Sequence, residues 1–228
     1  MDIVLLGAPG AGKGTQGSRL AEWLGIPSVS SGQLFREAME AKTELGEEAR
    51  HYVERGAYVP DDITVAVIAE RLAQPDCARG AILDGFPRTQ AQARALDRIL
   101  QQMGRRVDLV AFIRMPVPKL VARLSGRMNC TGCGSIYHEV FRPPQVPGVC
   151  DVCGSALERR ADDAPEIHQR RIEVYLEQTA PLITFYRERG ILGEVDGDRD
   201  IEAVQQGLQE AAWRACRSAC PPRHRASA

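Results

Sequence analysis

The segment Gly7-Ala8-Pro9-Gly10-Ala11-Gly12-Lys13-Gly14-Thr15 constrains this chain more than any other, because it follows the apolar run Ile3-Val4-Leu5-Leu6 and opens into a helical pattern. Glycines let successive backbone N–H groups turn onto one anion. Lys13 adds a mobile positive charge, and the helix behind directs its positive dipole end at the same point. The expected occupant is the phosphate chain of a nucleoside triphosphate. The spacing follows G-x-x-x-x-G-K through Lys13. Gly14 then stands where Ser or Thr is usual, and the hydroxyl arrives one residue later on Thr15.

Further apolar runs lie around Val29, at Ala81–Leu83, at Leu109–Ile113 and at Ile191–Val195. Each is short and bounded by turn residues, as buried parallel strands are. Helical patterns occupy the intervals, at about 14–24, 33–40, 62–72, 89–102, 117–125, 166–187 and 200–214. The alternation predicts an α/β, three-layer fold of the P-loop NTPase type around a central parallel five-stranded sheet. Ser30 with Gln33, and Asp163 with Glu166, have the spacing of capping boxes at helix starts.

From about Arg127 to Arg160 the alternation stops and the chain turns rich in Gly, Pro and Cys. So short an insertion cannot bury a core of its own and needs a staple. Cys130-x-x-Cys133 and Cys150-x-x-Cys153 are two thiolate pairs at the spacing that surrounds one tetrahedral zinc. Four sulfurs leave no position for water, so the metal is expected to be structural. Free thiols or two disulfides are the alternatives. Basic residues in the cassette are few, chiefly Arg127 and Arg142, which argues against nucleic-acid binding. Cys77, Cys216 and Cys220 lack such partners and read as ordinary thiols.

Among the 228 residues, 29 are Lys or Arg and 30 Asp or Glu, giving a net charge of −1, so no global field points to nucleic acid or membrane. With a strand beginning at Ile3 and no long apolar run, the chain is expected to be cytoplasmic. Nothing in it requires more than a monomer.

Ala81-Ile82-Leu83-Asp84 is an apolar strand ending in a carboxylate, the placement that holds Mg²⁺ through water beside P-loop phosphates. Arginines recur near element ends, at Arg36, Arg88, Arg123, Arg127, Arg160 and Arg171. Their planar forks suit phosphate oxygens. No nucleophile and base pair stands out, and His51, His138, His168 and His224 read as structural or exposed. That balance suits transfer between phosphates, where the acceptor is already anionic and clamping is what remains.

Gly7 to Gln16, Ser30-Ser31-Gly32 with Arg36, Asp84-Gly85-Phe86-Pro87-Arg88-Thr89-Gln90, and Arg160-Ala161-Asp162-Asp163 with Arg171 closely resemble adenylate kinases of the bacterial long-lid type. The resemblance runs from Met1 to about Leu208. It implies the reaction of MgATP with AMP to give MgADP and ADP. It divides the chain into a core (1–29, 60–126 and 164–216), an AMP-binding flap (30–59) and a zinc-ribbon lid (127–163). The remaining 217–228 is expected to be a disordered tail.

On the same resemblance, Gly10, Ala11, Gly12, Lys13, Gly14 and Thr15 meet the ATP phosphates, with Arg123 and Arg127. Ile136, Tyr137 and Arg199 lie near the adenosine. AMP is met by Ser31, Arg36, Ala57, Tyr58 and Val59 from the flap, and by Gly85, Phe86, Pro87, Arg88 and Gln92 from the core. Arg160 and Arg171 reach in from the lid and its hinge helix. Catalysis is implied for Lys13, Asp84, Arg88, Arg123, Arg160 and Arg171, with Gln92 offering an amide to the adenine edge. Three positions depart from the pattern. Ser31 replaces threonine and keeps its hydroxyl, Gln33 replaces an aspartate that reaches magnesium through water, and Met128 replaces a second arginine.

Overall fold

The computed structural model describes residues 1–159 and 165–219. In chain order the core begins with β1 (Asp2–Leu6), α1 (Lys13–Leu24), β2 (Ser28–Ser30), α2 (Ser31–Glu40), α3 (Glu44–Val53) and α4 (Asp61–Leu72). β3 (Ile82–Asp84), α5 (Gln90–Gln102), β4 (Val107–Arg114) and α6 (Val117–Ser125) follow. After the insertion, with β5 (Arg127–Cys130), β6 (Ile136–His138) and β7 (Leu157–Glu158), come α7 (Pro165–Val174), α8 (Pro181–Glu188), β8 (Leu192–Asp196) and α9 (Ile201–Ala219).

Among the described residues the large sheet has five strands in the order β2-β3-β1-β4-β8, every pair parallel. All five residues of β1 are buried, and the two-residue period of a strand sends them to opposite faces. Ile3 and Leu5 join a cluster with Leu20 of α1, Leu120 of α6 and Leu208 of α9. Val4 and Leu6 join a second with Leu72 of α4, Leu100 of α5 and Tyr186 of α8. Helices therefore cover both faces, the expected three layers. The chain leaves the central β1 toward β2 on one side and later crosses to β4 on the other. The carboxyl end of β1 thus sits at a switch point, where crevices form in such sheets.

Two differences from the sequence reading have physical causes, and a third is one of extent. The apolar stripe of α3 was illegible because its buried positions include Gly46 and Ala49. A Cβ at Gly46 would lie 2.1 Å from the Ala38 carbonyl oxygen, so only glycine lets α3 cross α2 this closely. The long helix expected over 166–187 is interrupted by a π-turn at Tyr175–Thr179, where Ala180 N–H reaches back to the Tyr175 carbonyl. Pro181, next in sequence, has no N–H to continue the α-ladder. α9 extends past 214 to Ala219, so 217–219 of the expected tail are helical; 220–228, including Cys220 and His224, lie outside the described residues.

Ser30 caps α2, its hydroxyl accepting from Gln33 N–H at 3.4 Å, but the Gln33 amide turns forward to Glu37 at 2.8 Å, leaving half a capping box. Asp163 lies outside the described residues. The insertion forms a three-stranded antiparallel sheet, β6-β5-β7, and no helix among the described residues. No described helix is long and apolar enough to cross a membrane.

Candidate active site

Parallel register brings the chemistry to one edge of the sheet. Leu5 pairs with Asp84 and Ser30 pairs with Asp84, so the ends of β1, β2 and β3 present the Gly-rich loop, Ser31 and the Asp84 carboxylate side by side. A cavity of about 880 Å³ opens there, between the sheet edge, α2, α3 and the insertion. Its size is near the upper end of the roughly 300–1,000 Å³ range of small-molecule sites, enough for two ligands of moderate size.

Lys13 begins α1, and its ammonium donates to the carbonyls of Gly7 at 2.7 Å and Ala8 at 3.1 Å. Burial pushes its pKa down from 10.5 to about 8; Asp84 opposes the shift, and the guanidinium groups of Arg88, Arg171 and Arg127 reinforce it. Near pH 8 Lys13 therefore begins to lose its proton. A bound phosphate chain adds negative charge and raises the pKa again, so ATP binding at pH 8, where the ATP phosphates are already ionised, should take up a fraction of a proton. Calorimetric titration in two buffers of different ionisation enthalpy checks this. In Lys13→Met the buffer dependence should vanish.

The departure at Gly14 has a steric reason. A Cβ there would stand 2.7 Å from the Ile136 methyl of β6 and 3.6 Å from Asp84 Oδ2, so a side chain would hold the insertion off the loop. Gly85 is equally constrained. It adopts φ +77, and a Cβ would meet Ser31 Oγ at 2.9 Å and an Arg88 nitrogen at 3.0 Å. Its carbonyl accepts from Ser31 Oγ at 2.8 Å and Arg88 Nε at 2.7 Å, which aims the guanidinium. Arg88 also lies 4.5 Å over the Tyr58 ring.

Most of the residues anticipated from sequence line this cavity: Gly10 through Thr15, Ser31, Arg36, Ala57 through Val59, Asp84, Gly85, Pro87, Arg88 and Gln92. Arg123, Arg127, Ile136, Tyr137, Arg171 and Arg199 line it too. Phe86 is not brought in. Its side chain is fully buried in the second core cluster, the natural place for an aromatic ring that anchors the loop. Arg160 lies outside the described residues. Gln33 faces the insertion, its amide 3.8 Å from where a Cβ of Gly134 would be.

Three contributors escaped the sequence reading. Thr179, on the π-turn, donates to the Arg88 carbonyl at 2.9 Å and shares a 2.9 Å hydrogen bond with Tyr58. Its only signal was Pro181, a break in a helical pattern. Asp61 accepts from Thr89 Oγ1 and from Gln92 Nε2, each at 2.7 Å. Phe141, on the insertion, is half-exposed, lines the cavity, and lies 5.6 Å from the Arg123 guanidinium. Burial lowers the pKa of Arg123.

In the insertion, the sulfurs of Cys130, Cys133, Cys150 and Cys153 all lie within 4.8 Å of one another. The pairs Cys130–Cys153 and Cys133–Cys150 are 3.3 and 3.6 Å apart. A tetrahedron with zinc–sulfur bonds near 2.3 Å has edges of about 3.8 Å, so the four fit a zinc ion. No described cysteine is in a disulfide. Polar groups surround the sulfurs: Gly132 and Cys133 N–H donate to Cys130, Ser135 Oγ lies against Cys133 and Tyr137 OH against Cys150, and Cys153 donates to Ser155 Oγ at 3.4 Å. Burial pushes the Cys150 thiol up, but the Cys153 N–H and Tyr137 hydroxyl outweigh it and hold the thiol down at about 6. A thiolate so stabilised is ready to bind metal.

Of the four histidines, the three among the described residues are structural or exposed. His138 Nδ1 accepts from Val140 and Phe141 N–H at 3.0 and 3.2 Å, leaving Nε2 to donate to the Ala122 carbonyl at 3.3 Å. This ties β6 to α6. His51 is exposed, and His168, on α7, is buried.

The family model described as adenylate kinase matches residues 5–191. This chain belongs to the adenylate kinase family. The adenylate kinase of Bacillus velezensis is 50% identical over 210 residues, 92% of this chain and 97% of its own length. That of Moorella thermoacetica is 50% identical over 214 residues, 94% and 99% of the two chains. The adenylate kinase of Archaeoglobus fulgidus is 46% identical over 209 residues, 92% and 96%. The family-model match thus takes in the Gly-rich loop, Asp84, Arg88 and the four-cysteine insertion together.

Proposed function

We propose that this chain works as an adenylate kinase, moving the terminal phosphoryl group of ATP reversibly onto AMP to give two ADP, with both nucleotides in the large cavity at the sheet edge. The observation that carries the reading is the convergence of Arg88, Arg127 and Arg171 on Lys13, with the Asp84 carboxylate acting on the same ammonium. Positive charge so gathered favours binding of a polyanion such as a phosphate chain.

In this reading the loop from Gly10 to Thr15 cradles the ATP phosphates, and Arg123 and Arg127 steady them from α6 and β5. Ile136, Tyr137, Phe141 and Arg199 flank the adenosine. Ser31, Arg36 and Arg88 hold the AMP phosphate, the backbone of Ala57 to Val59 lies along the nucleoside, and Gln92 meets the base. An AMP phosphate oxygen attacks the γ-phosphorus in line while the bond to the β-bridging oxygen breaks, its electron pair leaving with ADP. No proton need move, since the attacking oxygen is already anionic at neutral pH. Lys13 follows the transferred group, and Arg88 and Arg171 neutralise the charge spread over its oxygens. Asp84 would hold the magnesium that accompanies ATP, and the ion would supply positive charge against the developing charge on the phosphates.

The functional division follows the notional hinges: a core of 1–29, 60–126 and 164–216, an AMP flap of 30–59, and a lid of 127–163 that closes over ATP and excludes water. We place the protein in the cytoplasm as a monomer without nucleic-acid or membrane partners, in keeping with its near-zero net charge. A coupled assay with ATP, magnesium and a panel of monophosphates tests the reading. ADP should form with AMP and not with UMP or CMP. A preference for UMP would reassign the acceptor, and no turnover with any would leave only a nucleotide-binding protein.

A further inference from the structure

Gln92 is only 1% exposed, yet it lines the cavity, and both ends of its amide are already engaged. Oε1 accepts from Arg88 N–H at 2.7 Å, and Nε2 donates to Asp61 Oδ1 at 2.7 Å. The orientation follows from the partners' chemistry. A backbone N–H can only donate, so the atom facing Arg88 must be oxygen. An ionised carboxylate can only accept, so the atom facing Asp61 must be nitrogen. The other Asp61 oxygen is held by Thr89 Oγ1 at 2.7 Å, so the carboxylate itself cannot swing away.

An amide has two N–H groups and two oxygen lone pairs, and one of each is consumed here. One N–H and one lone pair remain, with their order fixed. We propose that Asp61, through this lock on Gln92, makes the acceptor site select a 6-amino purine over a 6-oxo purine. The proposal rests on the reading that Gln92 meets the acceptor base. A 6-amino purine offers an exocyclic N–H beside the N1 lone pair, which the remaining lone pair and N–H of the amide can match. A 6-oxo purine offers a lone pair beside N1–H, the reverse order. Matching it would require turning the amide round, which sets NH₂ against the Arg88 N–H and oxygen against the Asp61 carboxylate. Buried donors and acceptors left facing their own kind are costly, which is how sites built for one hydrogen-bonding pattern reject the other.

Asp61 is a positioning residue in this scheme. It acts on the base through Gln92, from the first turn of α4, where the chain leaves the flap.

The test compares AMP with IMP, which differ at the 6-position and N1 and share ribose and phosphate. In the native enzyme kcat/KM should favour AMP by about 10⁴. In Asp61→Asn the partner can present either an N–H or an oxygen, one of the two opposing contacts disappears, and the AMP-to-IMP ratio should fall at least tenfold. Asp61→Ser, whose hydroxyl also donates or accepts, should do the same and replaces Asp61→Asn if that variant does not fold. General damage to the flap would lower both substrates alike and leave the ratio unchanged; that result overturns the proposal. Gln92→Leu separates the two layers of the argument. If it abolishes the preference while both Asp61 variants keep it, the lock is wrong and the base contact stands. If Gln92→Leu keeps both the AMP KM and the ratio, Gln92 does not meet the base, and the proposal falls with that reading.

Discussion

Replacing Arg88 with alanine should lower kcat about a thousandfold, the range over which arginines that neutralise a transferring phosphoryl group act. The guanidinium is aimed from three sides. Its Nε donates to the Gly85 carbonyl at 2.7 Å, the Tyr58 ring lies 4.5 Å beneath it, and Thr179 holds its own carbonyl at 2.9 Å. None of these contacts belongs to the two large hydrophobic clusters, so folding should survive the change. The measurement pairs steady-state kinetics with thermal unfolding: a loss in kcat with a midpoint within a few degrees of the native protein is expected. Arg88→Lys should recover little, because a point charge cannot reproduce the planar fork. Near-normal kcat and KM in Arg88→Ala would remove Arg88 from the catalytic group.

The second large effect concerns the four cysteines. The buried cluster of the insertion consists of Cys130, Tyr137 and Cys150, with Met128 and Leu157 packed against it, and Val140, Val146 and Val152 are exposed. So little apolar burial cannot order about thirty residues, whereas structural zinc contributes an apparent 10–16 kcal/mol or so in peptides of similar design. Cys150→Ser, or exhaustive chelation, should therefore melt the insertion and leave the core folded. Hydrogen exchange should lose protection across 127–158 but not in β1 or β4. Purified protein should carry one zinc per chain and the variant none. Because Arg123 and Arg127 are positioned at the root of this insertion, kcat/KM for ATP should drop about a hundredfold. Full exchange protection in zinc-free protein would show that the insertion holds itself without metal.

Much of this could be read before any coordinates. The strand-loop-helix at Ile3–Thr15, the alternation of apolar runs with helical stretches, and the two CxxC pairs are local patterns. Each is set by residues within a few positions of one another, and each reappears as expected. α3 was not legible, since the signal of an amphipathic helix is an apolar stripe and its buried positions include a glycine and an alanine. The π-turn was visible only as Pro181, because the extra residue per turn satisfies contacts to Arg88 and Tyr58 that lie 91 and 121 positions away. Phe86, adjacent to residues that do line the cavity, faces the core: neighbours in sequence on an irregular loop need not share a face.

The sequence by itself determined the phosphate-binding loop, the metal set and the layered α/β class, because backbone conformation and ligand spacing are short-range properties. Only the tertiary structure decided that Asp61 and Thr179 act on Gln92 and Arg88, and that Gly14 must stay bare beneath Ile136. Those relations join segments brought together by strand register and helix packing, and side-chain orientation in a cavity depends on partners that no local pattern encodes.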